Sequence, residues 1–439
     1  MKSRMFAWIG VLVVSLNLLV GWRVYDAYAT TVAEDDMYAN VSVLTRALML
    51  IRQDYVDPEK VSFKQLTYNA LKGMLANLDP HSQFMEPEDF TDMKDDTRSR
   101  FGGLGIEIST RDGAITVVTP MDGSPAAKAG VMSGDQITKI DGEPTDKMDS
   151  GQAVGKLRGE PGTKVALTVF RSATKEIKEF LVTRDVIKVE SVRGKKMMQG
   201  PETNDFKIGY IRINQFSEPT AEELGKKLDE LEADGMQALI LDLRNNPGGL
   251  LASAVDVCGQ FVEPNTMVVY TDGPSASAKR EYRTKAVTKS RVRTEYPIAI
   301  LINNGSASGS EIVAGALKDL NRAVIIGETT FGKGSVQSVL PLPDASAMRL
   351  TTAKYYTPSR QVIHEVGVSP TIFAVMTPEQ EIAMARRRSY ESLTDEEKAE
   401  VDRHPDTQLN RALDALKGVL IYHTAKSAVP APESKTETN

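Results

Sequence analysis

The chain has one cysteine, Cys258, in 439 residues. A lone thiol excludes an internal disulfide, and its setting in an apolar, helix-patterned run reads as a small core residue. Histidine is almost as scarce. His81, His364, His404 and His423 are scattered without metal-ligand spacing, which argues against a structural metal. The same scarcity weakens a Ser-His-Asp site without excluding one assembled in space. There is no surplus of positive charge. Lys and Arg total 53 against 59 Asp and Glu, a net charge of −6, which disfavours a general nucleic-acid binder. Beyond residue 22 no apolar run is long enough to cross a bilayer. With 41% hydrophobic and 26% charged residues, the composition is globular, and the length suits two or three domains.

The one long apolar run is at the start. Met1-Lys2-Ser3-Arg4 is basic, and residues 5–22 are uncharged and mostly apolar. Residues 1–30 therefore read as a secretory signal or a membrane anchor. The length of the run favours an anchor, and Ala27-Tyr28-Ala29 offers a small-residue cleavage site. The basic flank keeps the N-terminus inside and sends the rest out of the cytoplasm, to a periplasmic or cell-envelope location.

Residues 36–98 carry two helical stripes, Val41, Leu44, Ala47, Leu48, Ile51 and Leu66, Ala70, Leu71, Met74. Leu78-Asp79-Pro80-His81-Ser82 closes the second, with His81 in a turn role. Residues 99–184 form a glycine-punctuated β-rich segment. Residues 185–377 alternate strand and helix: strands near 206–216, 238–243, 298–302 and 323–326, helices near 220–233, 249–262 and 310–320. Such alternation indicates an α/β core with parallel strands. Residues 378–424 are charged helices, with Leu409, Leu413, Leu416 and Leu420 on one side and Arg386-Arg387-Arg388 reading as a solvated face. Residues 425–439 are polar and read as disordered.

Two strand-to-helix turns carry the chemistry. In the first, Ser306-Ala307-Ser308-Gly309-Ser310 joins the strand near 298–302 to the helix after it. A serine there is exposed where helix N-terminal N–H groups point, and such donors suit the oxyanion of an acyl-transfer intermediate. Serine needs a base. Lys333 follows in Phe331-Gly332-Lys333-Gly334, among apolar strands that could desolvate its amine. Burial must lower its pKa from about 10.4 toward neutrality before it can accept a proton. Gln337 could orient that amine without adding charge. The second turn is Asp242-Leu243-Arg244-Asn245-Asn246-Pro247-Gly248-Gly249, and glycine turns of this kind present backbone N–H groups to an anion. Asp242 reads as a structural partner of Arg244.

Residues 327–333 also fit G-x-x-x-x-G-K, the start of a phosphate loop. The next residue should be Ser or Thr and open a helix. It is Gly334, followed by the strand-like Ser335-Val336-Gln337-Ser338-Val339-Leu340. Nucleotide binding is a poor fit.

Gly305-Ser306-Ala307-Ser308-Gly309-Ser310-Glu311 and Gly327-Glu328-Thr329-Thr330-Phe331-Gly332-Lys333-Gly334-Ser335-Val336-Gln337 resemble the motifs of the C-terminal processing (tail-specific) protease family. The resemblance covers about residues 40–420. It implies an α/β crotonase-like core with an inserted PDZ domain and helical N- and C-terminal regions. It implies Ser308 as nucleophile, Lys333 as base and Gln337 in support. One oxyanion donor would come from Gly309, which stands where the family usually has alanine. The other would come from Gly248, with Gly249 the alternative. Gly102-Gly103-Leu104-Gly105-Ile106 and Ser124-Pro125-Ala126-Ala127-Lys128-Ala129-Gly130 resemble a PDZ domain, whose loop at Leu104, Gly105 and Ile106 would take a peptide C-terminus as an added strand. Arg158, in a turn, could pair with a substrate carboxylate or with the core. The implied activity is serine endopeptidase action near the C-termini of extracytoplasmic proteins with exposed apolar ends. No metal or cofactor is implied, and a homodimer or regulatory partner is an open expectation. The rival reading is a catalytically inactive PDZ scaffold, which need not keep Ser308, Lys333 and Gln337 together.

Overall fold

A computed structural model of the chain describes residue 23 and residues 36–428, apart from 112, 122, 173, 287–291, 388–389 and 391–392. The apolar run at 5–22, the cleavage site at 27–29 and the tail beyond 428 lie outside the described residues. Among the described residues no helix is long and apolar enough to cross a membrane.

The core is built on a six-stranded sheet. Its order is Val192–Met198, Ile208–Ile213, Ala238–Asp242, Ile298–Ile302, Ala323–Gly327 and Ile372–Phe373. All neighbours pair in parallel except the first pair. Ala238–Asp242 and Ile298–Ile302 are buried at every position. That is why they read as continuous apolar runs: a parallel sheet is covered on both faces. Helices Thr220–Ala233, Leu251–Cys258 and Gly309–Asp319 bury Leu224, Leu228, Val257, Ile312 and Val313 against Ile211, Leu239, Leu241 and Ile300 on one face. Helix Thr407–Ala428 covers the other face, laying Leu413, Leu416 and Leu420 on Ile208, Ile240, Leu301 and Ile326. The C-terminal leucine stripe is therefore core, and the helix runs past the expected boundary at 424. Cys258 is fully buried, which pushes its thiol pKa up and leaves it inert.

Asp242 ends its strand inside a charge network. It pairs with Arg244 at 2.7 Å, and Arg244 reaches Asp406 at 2.8 Å beside the start of the C-terminal helix. Burial alone would lift the Asp242 carboxyl, but Arg244, Arg212 and the Tyr210 hydroxyl outweigh it and hold the pKa at about 2.

Residues 104–183 form a separate β-domain with its own core around Leu104, Ile115, Val117, Ile137 and Val165. Its entry strand Arg100–Gly103 pairs antiparallel with its exit strand Asp185–Lys188. The domain is thus inserted into the core through a two-stranded stem. Gly102 is required in that stem, because a Cβ there would lie 2.1 Å from the Gly159 carbonyl oxygen.

A second sheet, antiparallel, joins Ser335–Pro341, Ala347–Tyr356, Met267–Asp272 and Arg280–Arg283. Lys333 lies just before its first strand. The strand that follows Lys333 closes the phosphate-loop reading, which demands a helix there.

The N-terminal unit contains helices Met37–Asp54 and Phe63–Ala76 and the strand Gln83–Met85. The second helix buries Tyr68 and Leu75 rather than the full predicted stripe, and Tyr68 packs its ring 4.8 Å from Phe84. Met37–Asp54 buries none of its residues. In the arginine run, the solvated-face reading fails at Arg387. It is half-buried and donates to the carbonyls of Val401 and His404, at the end of helix Asp395–Arg403.

Candidate active site

Strand Ile298–Ile302 delivers the chain to the turn that holds three serines. Ser306 is buried and donates to the Leu243 carbonyl at 2.8 Å. Ser310 is buried and donates to the Asn246 carbonyl at 2.9 Å. Both hydroxyls are committed to the glycine turn, and this joins the two turns identified in the sequence. Ser308 alone of the three is partly exposed. It caps helix Gly309–Asp319 with φ 51° and ψ −112°, a conformation that costs a non-glycine residue about 1–3 kcal/mol and that clusters at functional sites.

Glu311, in the first turn of that helix, holds the serine turn to the lysine loop. It is fully buried. One carboxylate oxygen accepts the N–H groups of Ser308 at 2.7 Å and Lys333 at 2.9 Å. The other accepts the Thr330 hydroxyl at 2.5 Å and the Gly332 N–H at 2.7 Å. Burial raises its pKa, and these four donors work against that rise. The Phe331 N–H adds a further tie to the Ser306 carbonyl at 3.0 Å. Lys333 is half-buried. Tyr355, 2% exposed, donates its hydroxyl to the Lys333 carbonyl and its N–H to the Gly334 carbonyl at 2.9 Å.

Gly248 packs directly on Ser308. Its φ is +100°, and a Cβ there would stand 2.6 Å from the Ser308 Cβ and 2.7 Å from the Gly309 nitrogen. Its own N–H, however, donates to Asn246 Oδ1 at 2.8 Å. The N–H groups of Gly249 and Gly309 donate to no group among the described residues. The open amides beside Ser308 are thus those of Gly249 and Gly309, and the Asn246 side chain is what withdraws Gly248.

Gln337 lies on the strand that follows Lys333. Its amide nitrogen donates to Ser335 Oγ at 2.9 Å and reaches Thr351 Oγ1 at 3.5 Å. The register of its strand slips between Val336 and Gln337, and a bulge of this kind re-aims a side chain.

In the inserted domain, Leu104, Gly105 and Ile106 line a cavity of about 200 Å³ with Phe101, Val154, Leu157 and Arg158. The N–H groups of Leu104 and Gly105 donate to no group among the described residues, which leaves them open for a carboxylate. Arg158 stacks 4.6 Å from the Phe101 ring centre and pairs with Asp96 at 3.1 Å. It is therefore held by helix Pro87–Thr97.

A family model described as Peptidase family S41 matches residues 207–374, and one described as PDZ domain matches residues 116–171. The carboxy-terminal-processing protease of Bartonella bacilliformis is 41% identical over 348 residues, covering 78% of this chain and 77% of its own. The chain belongs to this family of serine peptidases, the carboxy-terminal-processing proteases. The carboxy-terminal processing protease CtpB of Bacillus subtilis is 37% identical over 353 residues, covering 80% of this chain and 71% of its own. A solved structure described as an S41 protease from Bacteroides fragilis aligns with TM-score 0.50 at 17% identity, over 85% of this chain and 97% of that one. That likeness speaks to the fold.

Three residues of this protease's site escaped the reading of the sequence. Glu311 had a local signal, since Ser308-x-x-Glu311 is a capping-box spacing at a helix start. Asn246 had one too, since it stands two residues before Gly248, the spacing of an Asx turn; Tyr355 had none, because its partners in the lysine loop are distant in sequence.

Proposed function

We propose that this carboxy-terminal-processing protease cleaves through a Ser308–Lys333 dyad on a crotonase-like core. Ser308 attacks the scissile carbonyl, and neutral Lys333 takes its proton and returns it to the leaving amine. Water then hydrolyses the acyl-enzyme. The amides of Gly309 and Gly249 receive the oxyanion. Gln337 supports Lys333 once its amide turns from Ser335. The observation that carries this reading is the buried Glu311 carboxylate, which binds the N–H of Ser308 and the N–H of Lys333 together. Chain segments 25 residues apart (333 − 308) are thereby fixed as one unit.

The PDZ loop at Leu104, Gly105 and Ile106 takes the substrate's apolar C-terminus, and the leader run at 5–22 places the enzyme outside the cytoplasm. The test is cleavage of an unfolded reporter with an apolar C-terminus by the parent, Ser308→Ala and Lys333→Ala proteins across pH. Loss of cleavage in both variants and a parent rate that rises with pH are expected. Undiminished cleavage by Ser308→Ala overturns the assignment.

A further inference from the structure

We propose that the cavity between the edge strand Val192–Met198 and the C-terminal helices binds a small phosphate monoester, at a site separate from that of the peptide substrate. The cavity measures about 570 Å³, within the range of small-molecule sites. Met198, Tyr210 and Leu409 line it, and all three pack in the apolar layer beneath helix Thr407–Ala428. The cavity therefore lies on the face of the sheet opposite helix Gly309–Asp319, which Ser308 caps.

Its lining is cationic. Arg193, Lys196, Arg212, Arg244 and Arg387 face a single acid, Asp406. Asp242 stands behind, bound to Arg244. Five cations against these two carboxylates leave an excess of three (5 − 2 = 3). Arg244 spends its donors on Asp242 and Asp406. The other four cations keep donors to offer. Arg212, 8% exposed, commits Nε to Asn214 and Nη2 to the Arg244 carbonyl, each at 2.8 Å. Its Nη1 stands 3.9 Å from Asp242, beyond hydrogen-bond reach. Arg387 gives Nη2 to the carbonyls of Val401 and His404, and its Nη1 is buried with no hydrogen-bond partner among the described residues. A buried unpaired N–H is rare in a folded chain and calls for an acceptor. The side chains of Arg193 and Lys196 are exposed and pair with no group among the described residues.

A bulge makes these charges converge. Residues three apart on a regular strand point to opposite faces. Arg193 pairs with Arg212 and Lys196 with Tyr210, however, so three steps on the edge strand match two on its neighbour. The extra residue turns both cations to the face that carries Arg212 and Tyr210. Gly194 supplies the left-handed backbone of the bulge, with φ +69°.

The chemistry of the ligand follows from this arrangement. A phosphate monoester carries a charge of about −1.5 to −2 near neutrality and three acceptor oxygens. It answers the excess charge more fully than a carboxylate. Its donors come from the edge strand, from the strand beside it and from helix Pro378–Arg387, and arginine forks suit phosphate oxygens. Met384 and Leu409 offer apolar contact to the body of the ester. A free phosphate ester and a phosphatidic acid headgroup present the same group.

The experiment is isothermal titration calorimetry on the full chain. The probes are phenyl phosphate and dibutyryl phosphatidic acid, a soluble lipid analogue. Phenyl sulfate, with the same ring and one charge, is the control. Arg193→Gln and Lys196→Gln remove exposed charges that hold no other contact, so both variants should fold. The expected result is that phenyl phosphate binds at least about tenfold more tightly than phenyl sulfate, and that each variant raises its Kd about tenfold. Ser308→Ala should leave that Kd unchanged. Tighter binding of the lipid analogue than of phenyl phosphate identifies a headgroup as the source, and the reverse order identifies a free ester. No binding of either probe at about 10 mM overturns the proposal, as does a parental Kd in both charge variants. Equal affinity for phenyl sulfate overturns the choice of phosphate. Loss of binding in Ser308→Ala puts the probe at the nucleophile and overturns the separate site.

Discussion

Replacing Glu311 by glutamine should disable the enzyme without unfolding it. The carboxylate accepts four donors, two on each oxygen. Glutamine keeps one carbonyl oxygen and turns the other position into a donor. Two hydrogen bonds to a charged group are then lost, a gross loss of roughly 3–6 kcal/mol. No longer burying a charge offsets part of that, and Thr330 can rotate its hydroxyl to accept from the new amide. A net cost of about 2 kcal/mol results. Every lost contact holds the Ser308 turn or the 330–333 loop, so the cost falls on their alignment. A 2 kcal/mol loss in transition-state alignment corresponds to about 30-fold in kcat. The PDZ groove makes none of these contacts, so KM should hold. The assay is steady-state cleavage of the apolar-tailed reporter, with denaturant unfolding of the same samples. A second readout follows from the raised pKa of Glu311. The folded chain binds this proton more tightly than the unfolded chain does. Its share of stability is therefore largest at low pH and declines as pH rises above the ordinary carboxyl value of about 4.3. Glu311→Gln should remove that decline. A glutamine variant with parental kcat would refute the idea that this carboxylate aligns the dyad.

Gly248→Ala sets a Cβ 2.6 Å from that of Ser308 at a φ of +100°, and peptide cleavage and fluorophosphonate labelling should both fall at least ~100-fold. Ile106→Asp introduces a charge at the mouth of the PDZ groove. It should raise KM for the apolar-tailed reporter about tenfold, with kcat held, and equal shifts in both would count against a binding role for the groove. Asp242 has a pKa depressed to about 2. Its stabilisation is complete above the unfolded value of about 3.9 and vanishes as pH falls through 2, a loss of about 2 kcal/mol. In denaturant unfolding, the stability gap between the parent and Asp242→Asn should therefore shrink between pH 5 and pH 2. A gap that stays constant would contradict the assignment of the network.

The sequence alone determined what depends on neighbours along the chain. The apolar runs near 298–302 and 238–243 announced buried strands, because a strand covered on both faces has no polar position to alternate with. The glycine turns and the serine cluster announced where strands give way to helices, since positive φ and helix capping are local demands. The PDZ loop and the Ser/Lys motifs were legible as a resemblance to a known family. Tertiary structure decided the rest. It left Ser308 as the partly exposed serine of its turn by committing the hydroxyls of Ser306 and Ser310 to the Leu243 and Asn246 carbonyls. Through the Asn246 side chain it took the Gly248 amide and left that of Gly249 open. It turned Gln337 onto Ser335 at a slip in strand register. It set Glu311 between the serine turn and the lysine loop, and Tyr355 on two carbonyls of that loop. It also drew Arg387 out of its expected solvated face. The ties of Ser306, Ser310, Glu311 and Arg387 join segments that meet only in the folded chain, and composition and spacing carry no record of such meetings; those of Asn246 to Gly248 and Gln337 to Ser335 span two residues and depend on the local backbone conformation that the fold imposes.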